Sequence, residues 1–104
     1  MKKSRRHPQA ERDIAGAVAY YAGDSLETAE RFLCELEDSV IRIEKMPRTG
    51  SLRYARDIDM PGLRAYLLGG FPYMLFYFER DEHVDLVRVL HTHRDIFTLL
   101  LQIG

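Results

Sequence analysis

The sequence predicts an α+β domain, a helical hairpin packed on a small and mostly antiparallel β-sheet with a short C-terminal helix. Three observations carry this. Apolar residues recur with helical spacing through the first half. The period shifts to short aromatic and β-branched runs in the second half. Proline, glycine and polar clusters punctuate the joins. No internal repeat and no linker divides the 104 residues, so one domain spanning residues 1–104 is expected.

The segment Lys2 to His7 can add an edge strand, although its composition alone is a weak signal. From Pro8 to Ala22 the residues Ala10, Ile14, Ala17, Val18 and Tyr21 fall on one helical face. Pro8 suits the first turn, where a missing N–H costs nothing, and Gly23 suits the end. Asp24 then reads as an N-cap for a second helix, with Glu27 three residues on as in a capping box. In that helix Ala29, Phe32, Leu33, Leu36, Val40 and Ile43 form one apolar stripe. Acidic residues at its start and Arg42 and Lys45 near its end follow the order the helix dipole favours. Pro47 and Gly50 stop it. With only two or three residues between them, the helices should fold back as an antiparallel pair.

Beyond an irregular stretch from Arg48 to Pro61, strands are expected at Leu63–Leu68, Tyr73–Glu79 and Val84–His91. Arg80-Asp81-Glu82-His83 fits the loop of a hairpin between the last two. Tyr73 to Phe78 is apolar on both faces, which suits a central strand covered on each side. A final short helix near Arg94 carries Ile96, Leu99, Leu100 and Ile103 on one face, a stripe that suits packing on the core.

With 15 Lys+Arg against 16 Asp+Glu and a net charge of −1, the chain is not a generic nucleic-acid coat. Its single cysteine, Cys34, cannot form an internal disulfide, which fits a reducing compartment. Neither a signal peptide nor a membrane span is recognisable, so a cytoplasmic location and no membrane partner are expected.

Enzyme signatures with a phosphate-binding glycine loop, a Cys-x-x-Cys pair or His-Glu-x-x-His are absent from the sequence. Cys34, mid-helix, reads as a small apolar-like residue and not as a nucleophile. His91 and His93, two apart, raise the question of a metal, but a bare pair is weak and neither a metal nor a cofactor is expected. Arg64 and Arg88 are more informative, since both interrupt apolar strands where an unpaired charge is expensive. Each must reach the surface or meet a carboxylate such as Asp85, Asp95 or Glu79. Ideal alternation puts Arg88 on one face with Val84, Leu86 and Leu90, and His91 on the other. Tyr20, Cys34 and Ile41 lie off the main helical stripes. If contiguous, they can offer an apolar patch to a partner helix.

The order of these pieces resembles the ParE toxins of the RelE/ParE superfamily. The carrying stretches are His7 to Ile14, Ala29 to Leu36 with Met46-Pro47-Arg48-Thr49-Gly50, Gly62-Leu63-Arg64, Phe71 to Tyr77, and above all Arg88-Val89-Leu90-His91-Thr92-His93-Arg94-Asp95. Together they span nearly the whole chain. The resemblance implies a bacterial type II toxin held inactive by a cognate antitoxin of the ParD type with a ribbon-helix-helix part. It implies DNA gyrase as target and contact with promoter DNA only through the antitoxin. It also makes Arg64, Arg88, His91 and Arg94 the expected target-binding residues, and Tyr20, Cys34 and Ile41 the expected antitoxin contacts.

The RelE branch of the superfamily cuts messenger RNA on the ribosome. That reaction needs a base, an acid and cations around the scissile phosphate, which Arg64, Arg88 and His91 would begin to supply. However, the segment after Gly50 offers Arg53 and Arg56 without a lysine or nearby glutamate, and Thr92 follows His91 where a tyrosine would serve. Two roles stay empty, which favours a toxin that is not an enzyme. A degenerate toxin kept as an antitoxin-binding module is the third alternative.

Overall fold

The computed structural model describes residues 1–103, and within them the helical hairpin forms where the apolar stripes predict it. Strand β1 (Lys3–Arg6) leads into α1 (Pro8–Asp24), and α2 (Leu26–Lys45) follows after a single residue. That residue, Ser25, is extended (φ −158°, ψ 146°), and its backbone N–H closes α1 on Tyr21 O while its Oγ accepts from Thr28 N at 3.0 Å. The cap is therefore Ser25, one place beyond the expected Asp24, which is the last residue of α1. The joint is also tighter than the two or three residues expected. A hydroxyl on an extended residue can end one helix and start the next.

The chain then makes one 3₁₀ turn (Pro47–Thr49) and a short helix α3 (Arg53–Asp57) inside the stretch expected to be irregular. Gly62, at φ +86°, turns it into β2 (Leu63–Leu67), followed by β3 (Tyr73–Glu79), β4 (His83–His91) and α4 (Ile96–Leu100). The sheet order is β1-β4-β3-β2; β1 runs parallel to β4 and the other pairs are antiparallel. The edge strand suspected at Lys2–His7 is thus real. Its outer side is closed by α2, since Lys2 N bonds Glu44 O at 3.1 Å and Ser4 N bonds the Glu44 carboxylate at 2.8 Å. An edge blocked in this way does not recruit another strand.

Each face of the sheet has its own core. Leu75, Tyr77, Val84, Leu86 and Val89 meet Ile14 and Ala17 of α1 and Phe32, Leu36, Val40 and Ile43 of α2. Leu63, Ala65, Phe76, Val87 and Leu90 face the other way, under Ala55 of α3 and Ile96 and Leu100 of α4. The C-terminal segment therefore seals the second face through Ile96 and Leu100, while Phe97 and Leu101 stay exposed. Burial on both faces is why β3 reads as continuously apolar.

One irregularity matters for the site. The β3–β4 register slips between Phe76 and Tyr77, whose partners are Arg88 and Leu86, so Val87 is an extra residue in β4. This bulge reverses the alternation. Arg88 and Leu90 consequently lie on the face opposite Val84 and Leu86, which corrects the ideal-strand expectation.

At the far end of the sheet, Glu79 accepts from Lys2 Nζ at 3.0 Å and Arg48 Nε at 3.5 Å. The hydrogen bond from Lys2 is the chief reason its carboxyl sits below the usual carboxylate range; Arg48 adds to it against some desolvation. A depressed carboxyl stabilises the fold above its unfolded pKa, and that contribution is lost as pH falls through the folded value. Glu79→Gln is expected to be less stable than wild type at neutral pH, with the difference closing below about pH 4. Urea midpoints across pH check this; a gap that widens toward acid would contradict it.

Candidate functional site

Arg88 sits where α1, β4 and α4 meet, and it is not a free surface charge. Its Nε and Nη2 donate to Asp13 Oδ2 at 2.7 Å and Oδ1 at 3.0 Å, and Nη1 reaches Leu99 O at 3.3 Å. Only 8% of the residue is exposed. Asp13 Oδ2 also accepts from Val89 N at 2.9 Å. Pairing with β1 stops at Leu86, so Val89 lies on an open stretch of β4, and α1 supplies the carboxylate that closes it. A bidentate guanidinium–carboxylate pair of this geometry satisfies both charges at once.

Asp85, Asp95 and Glu79 are engaged elsewhere. Asp85 is drawn upward by burial, but bonds from Arg80 Nε and His83 Nε2 outweigh this and leave its pKa lowered. Asp95 caps α4 through Thr98, whose side-chain and backbone bonds hold its pKa down. Asp13 was the partner missed. Its signal was present, since it falls three residues after Ala10 and four before Ala17, on the buried stripe of α1 where a lone carboxylate demands a cation.

Beside this pair lies a cleft of about 270 Å³ between α1 and the end of β4, lined among others by Arg12, Asp13, Tyr20, Tyr73, His91 and Arg94. His91 pairs with Tyr73 across the ladder, their rings edge to face at 5.2 Å. His93 N donates to His91 Nδ1 at 3.1 Å, so the neutral ring carries its proton on Nε2. Arg94 N bonds His91 O at 3.1 Å, closing the turn that returns Arg94 to the cleft. Burial raises the Tyr73 hydroxyl above the ordinary tyrosine range, the nearby Tyr20 adds to this, and Arg94 opposes it. Tyr73 is therefore a protonated donor at neutral pH.

Arg64 stands apart. It faces the helical hairpin from β2 opposite Tyr77, and its Nη1 donates to Gly50 O at 2.8 Å and Arg48 O at 3.2 Å. From strand rise and spacing its Cα is about 17 Å from that of His91. Buried Leu75 and Tyr77 fill the row between them under the hairpin. Of the four expected target-facing residues, only His91 and Arg94 share a cleft.

Tyr20, Cys34 and Ile41 do not form one patch either. Tyr20, 73% exposed, stands in the cleft. Cys34 is exposed in a separate groove with Glu30, Asp38 and Gly69. Ile41 is exposed two turns further along α2. Among the described residues no group of three His, Cys, Asp or Glu side chains is placed to hold a metal, and no helix is long and apolar enough to cross a membrane.

Fold and cleft together define a small α+β domain whose distinctive surface is a donor-rich hollow beside its helical hairpin. Residues 5–96 match the family model described as the ParE toxin of the type II toxin–antitoxin system, parDE. The chain belongs to the ParE toxin family of type II toxin–antitoxin systems. A similar solved structure, described as a chromosomal ParDE toxin–antitoxin system from P. aeruginosa, superposes with a TM-score of 0.73 at 16% identity, covering 89% of this chain and 98% of that one. At such identity the likeness speaks for the fold. No curated protein matches the sequence.

Proposed function

We propose that this chain is a toxin that acts by binding DNA gyrase, without catalysis of its own, and that a cognate ParD-like antitoxin neutralises it. The family match over residues 5–96 is the observation that carries this reading. Side-chain placement supports the non-enzymatic form of it. A ribonuclease of the RelE kind would need Arg64, Arg88 and His91 around one phosphate. Here Arg88 is spent on Asp13, and Arg64 is bound to backbone carbonyls at the far end of the covered face. General acid–base chemistry requires groups within hydrogen-bond reach of one reacting centre.

His91 and Arg94 are the proposed centre of the target-facing surface, with Arg64 as an outlying contact and Arg88 as the group that holds α1, β4 and α4 in register beneath it. Cys34 and Ile41 on α2 and Tyr20 on α1 are the proposed antitoxin contacts. An antitoxin segment laid over Tyr20 closes the mouth of the cleft, which gives a direct route to neutralisation. Contact with promoter DNA then comes through the antitoxin.

The test is growth inhibition on induction in bacteria. Arg64→Ala combined with His91→Ala and Arg94→Ala should abolish toxicity while the circular dichroism spectrum stays that of the folded protein, with the midpoint lowered only by loss of the Arg64 bonds to Gly50 O and Arg48 O. A folded triple variant that is fully toxic would sink the assignment of this surface. Arg88→Ala is not a clean probe, because it strands Asp13.

A further inference from the structure

The cleft has an electrostatic character beyond its place on the surface. Asp13, the one acid among its lining residues, is already neutralised by Arg88. Arg12 and Arg94 also line it, both exposed, and among the described residues neither makes an ion pair. The hydroxyls of Tyr66 and Tyr77 are engaged, by Arg42 and by Gly50 and Pro47 respectively, whereas among the described residues those of Tyr20 and Tyr73 have no partner. His91 adds an Nε2–H. The cleft is thus lined by two arginines outside any ion pair among the described residues, two tyrosines with unengaged hydroxyls and a histidine, while its one carboxylate is already paired.

We infer that this cleft is a receptor for a carboxylate side chain on an acidic segment of the toxin's protein target. The inference rests on the target-binding reading above and names the chemistry of that contact. Guanidinium groups match carboxylates in plane and in donor geometry. The rings of Tyr20, Tyr73 and His91 make walls suited to the aliphatic stem of a glutamate. A nucleic-acid backbone is the poorer fit. A hollow of about 270 Å³ takes one side chain and not a strand, and a chain of net charge −1 lacks the broad positive field that draws a polyanion.

The experiment is an NMR titration at low ionic strength with acetyl-Glu-Glu-amide, and separately with a deoxythymidine tetranucleotide. The peptide should produce saturable shifts at Tyr20, Tyr73 and His91, and its affinity should fall about tenfold or more in Arg12→Glu/Arg94→Glu. Both arginines are exposed, so this variant should keep its fold, and Tyr20→Ala provides a second, milder loss. An absence of saturable shifts at these residues overturns the inference. So does undiminished binding by the charge-reversed variant, or a tighter fit for the oligonucleotide. Gyrase separates this from the reading beneath it. Peptide binding in the cleft without any effect on gyrase upholds the carboxylate site and removes the target. Gyrase inhibition by the charge-reversed variant at wild-type strength overturns the carboxylate site and keeps the target.

Discussion

Asp13→Ala is expected to remove a large share of this protein's margin of stability. The substitution leaves the guanidinium of Arg88, a residue only 8% exposed, without its counter-charge, and frees the Val89 N–H from the carboxylate that accepts from it. Breaking a buried pair from one side costs about 3–5 kcal/mol, against the roughly 5–15 kcal/mol that hold a small domain together. For a domain of this size the thermal midpoint should fall by about 15–25 °C. Arg88→Met added to Asp13→Ala should recover part of the loss, because an apolar side chain no longer needs the carboxylate. Recovery stays incomplete, since the Val89 amide is still unpaired at a cost of about 1–3 kcal/mol. A midpoint unmoved by Asp13→Ala would contradict the account. Loss of toxicity in any Arg88 variant must accordingly be read against its melting curve.

Gly50→Ala is expected to have the next largest effect, and for a steric reason alone. The backbone there is ordinary (φ −73°), but a Cβ would stand 2.6 Å from Tyr77 Oη, 2.9 Å from Tyr77 Cε1 and 3.0 Å from Arg64 Cβ. Tyr77 is fully buried and cannot swing away, because its hydroxyl accepts from Gly50 N and donates to Pro47 O, both at 2.8 Å. Overpacking and the strained bonds should together cost roughly 2–4 kcal/mol. Tyr77→Phe should cost about 1–3 kcal/mol through the amide and carbonyl it leaves unpaired. Denaturant midpoints measure both. A Gly50→Ala protein as stable as wild type would show that the tyrosine does not pin this turn. The same contact fixes Gly50 O, one of the acceptors that hold Arg64, so its loss should also loosen that side chain.

How far the fold was legible depends on whether the signal is local. The stripes of α1 and α2 and the double-faced apolar run of β3 follow from period alone, and their ends fall within a residue or two of expectation. The cap at Ser25 was misplaced by one because Asp24 and Ser25 are both competent caps, and the sequence does not show which residue leaves the helix. Helix α3 was not anticipated, since Arg53–Asp57 is too short to display a period; only Ala55, turned onto the second core, marks it. The bulge at Val87 has no composition signal at all, because valine suits either face of a buried strand.

The site was legible in the same uneven way. That Arg88 needs a carboxylate follows from its apolar neighbours. That the carboxylate is Asp13 requires knowing that α1 closes the edge of β4 where β1 ends. His91 and Arg94 were named together and lie together. Arg12 and Tyr73, from different halves of the chain, join them only through the packing of α1 against β4. Tyr20 shares with Cys34 and Ile41 only a position off the apolar stripes, and the fold sets it beside His91 instead.

The central claim, that this ParE-family chain acts on gyrase by binding and not by catalysis, is tested most directly by supercoiling with purified gyrase. Added protein should abolish supercoiling and trap cleaved DNA, and the cognate antitoxin should restore the reaction. Supercoiling that proceeds undisturbed in the presence of demonstrably folded protein would contradict the claim.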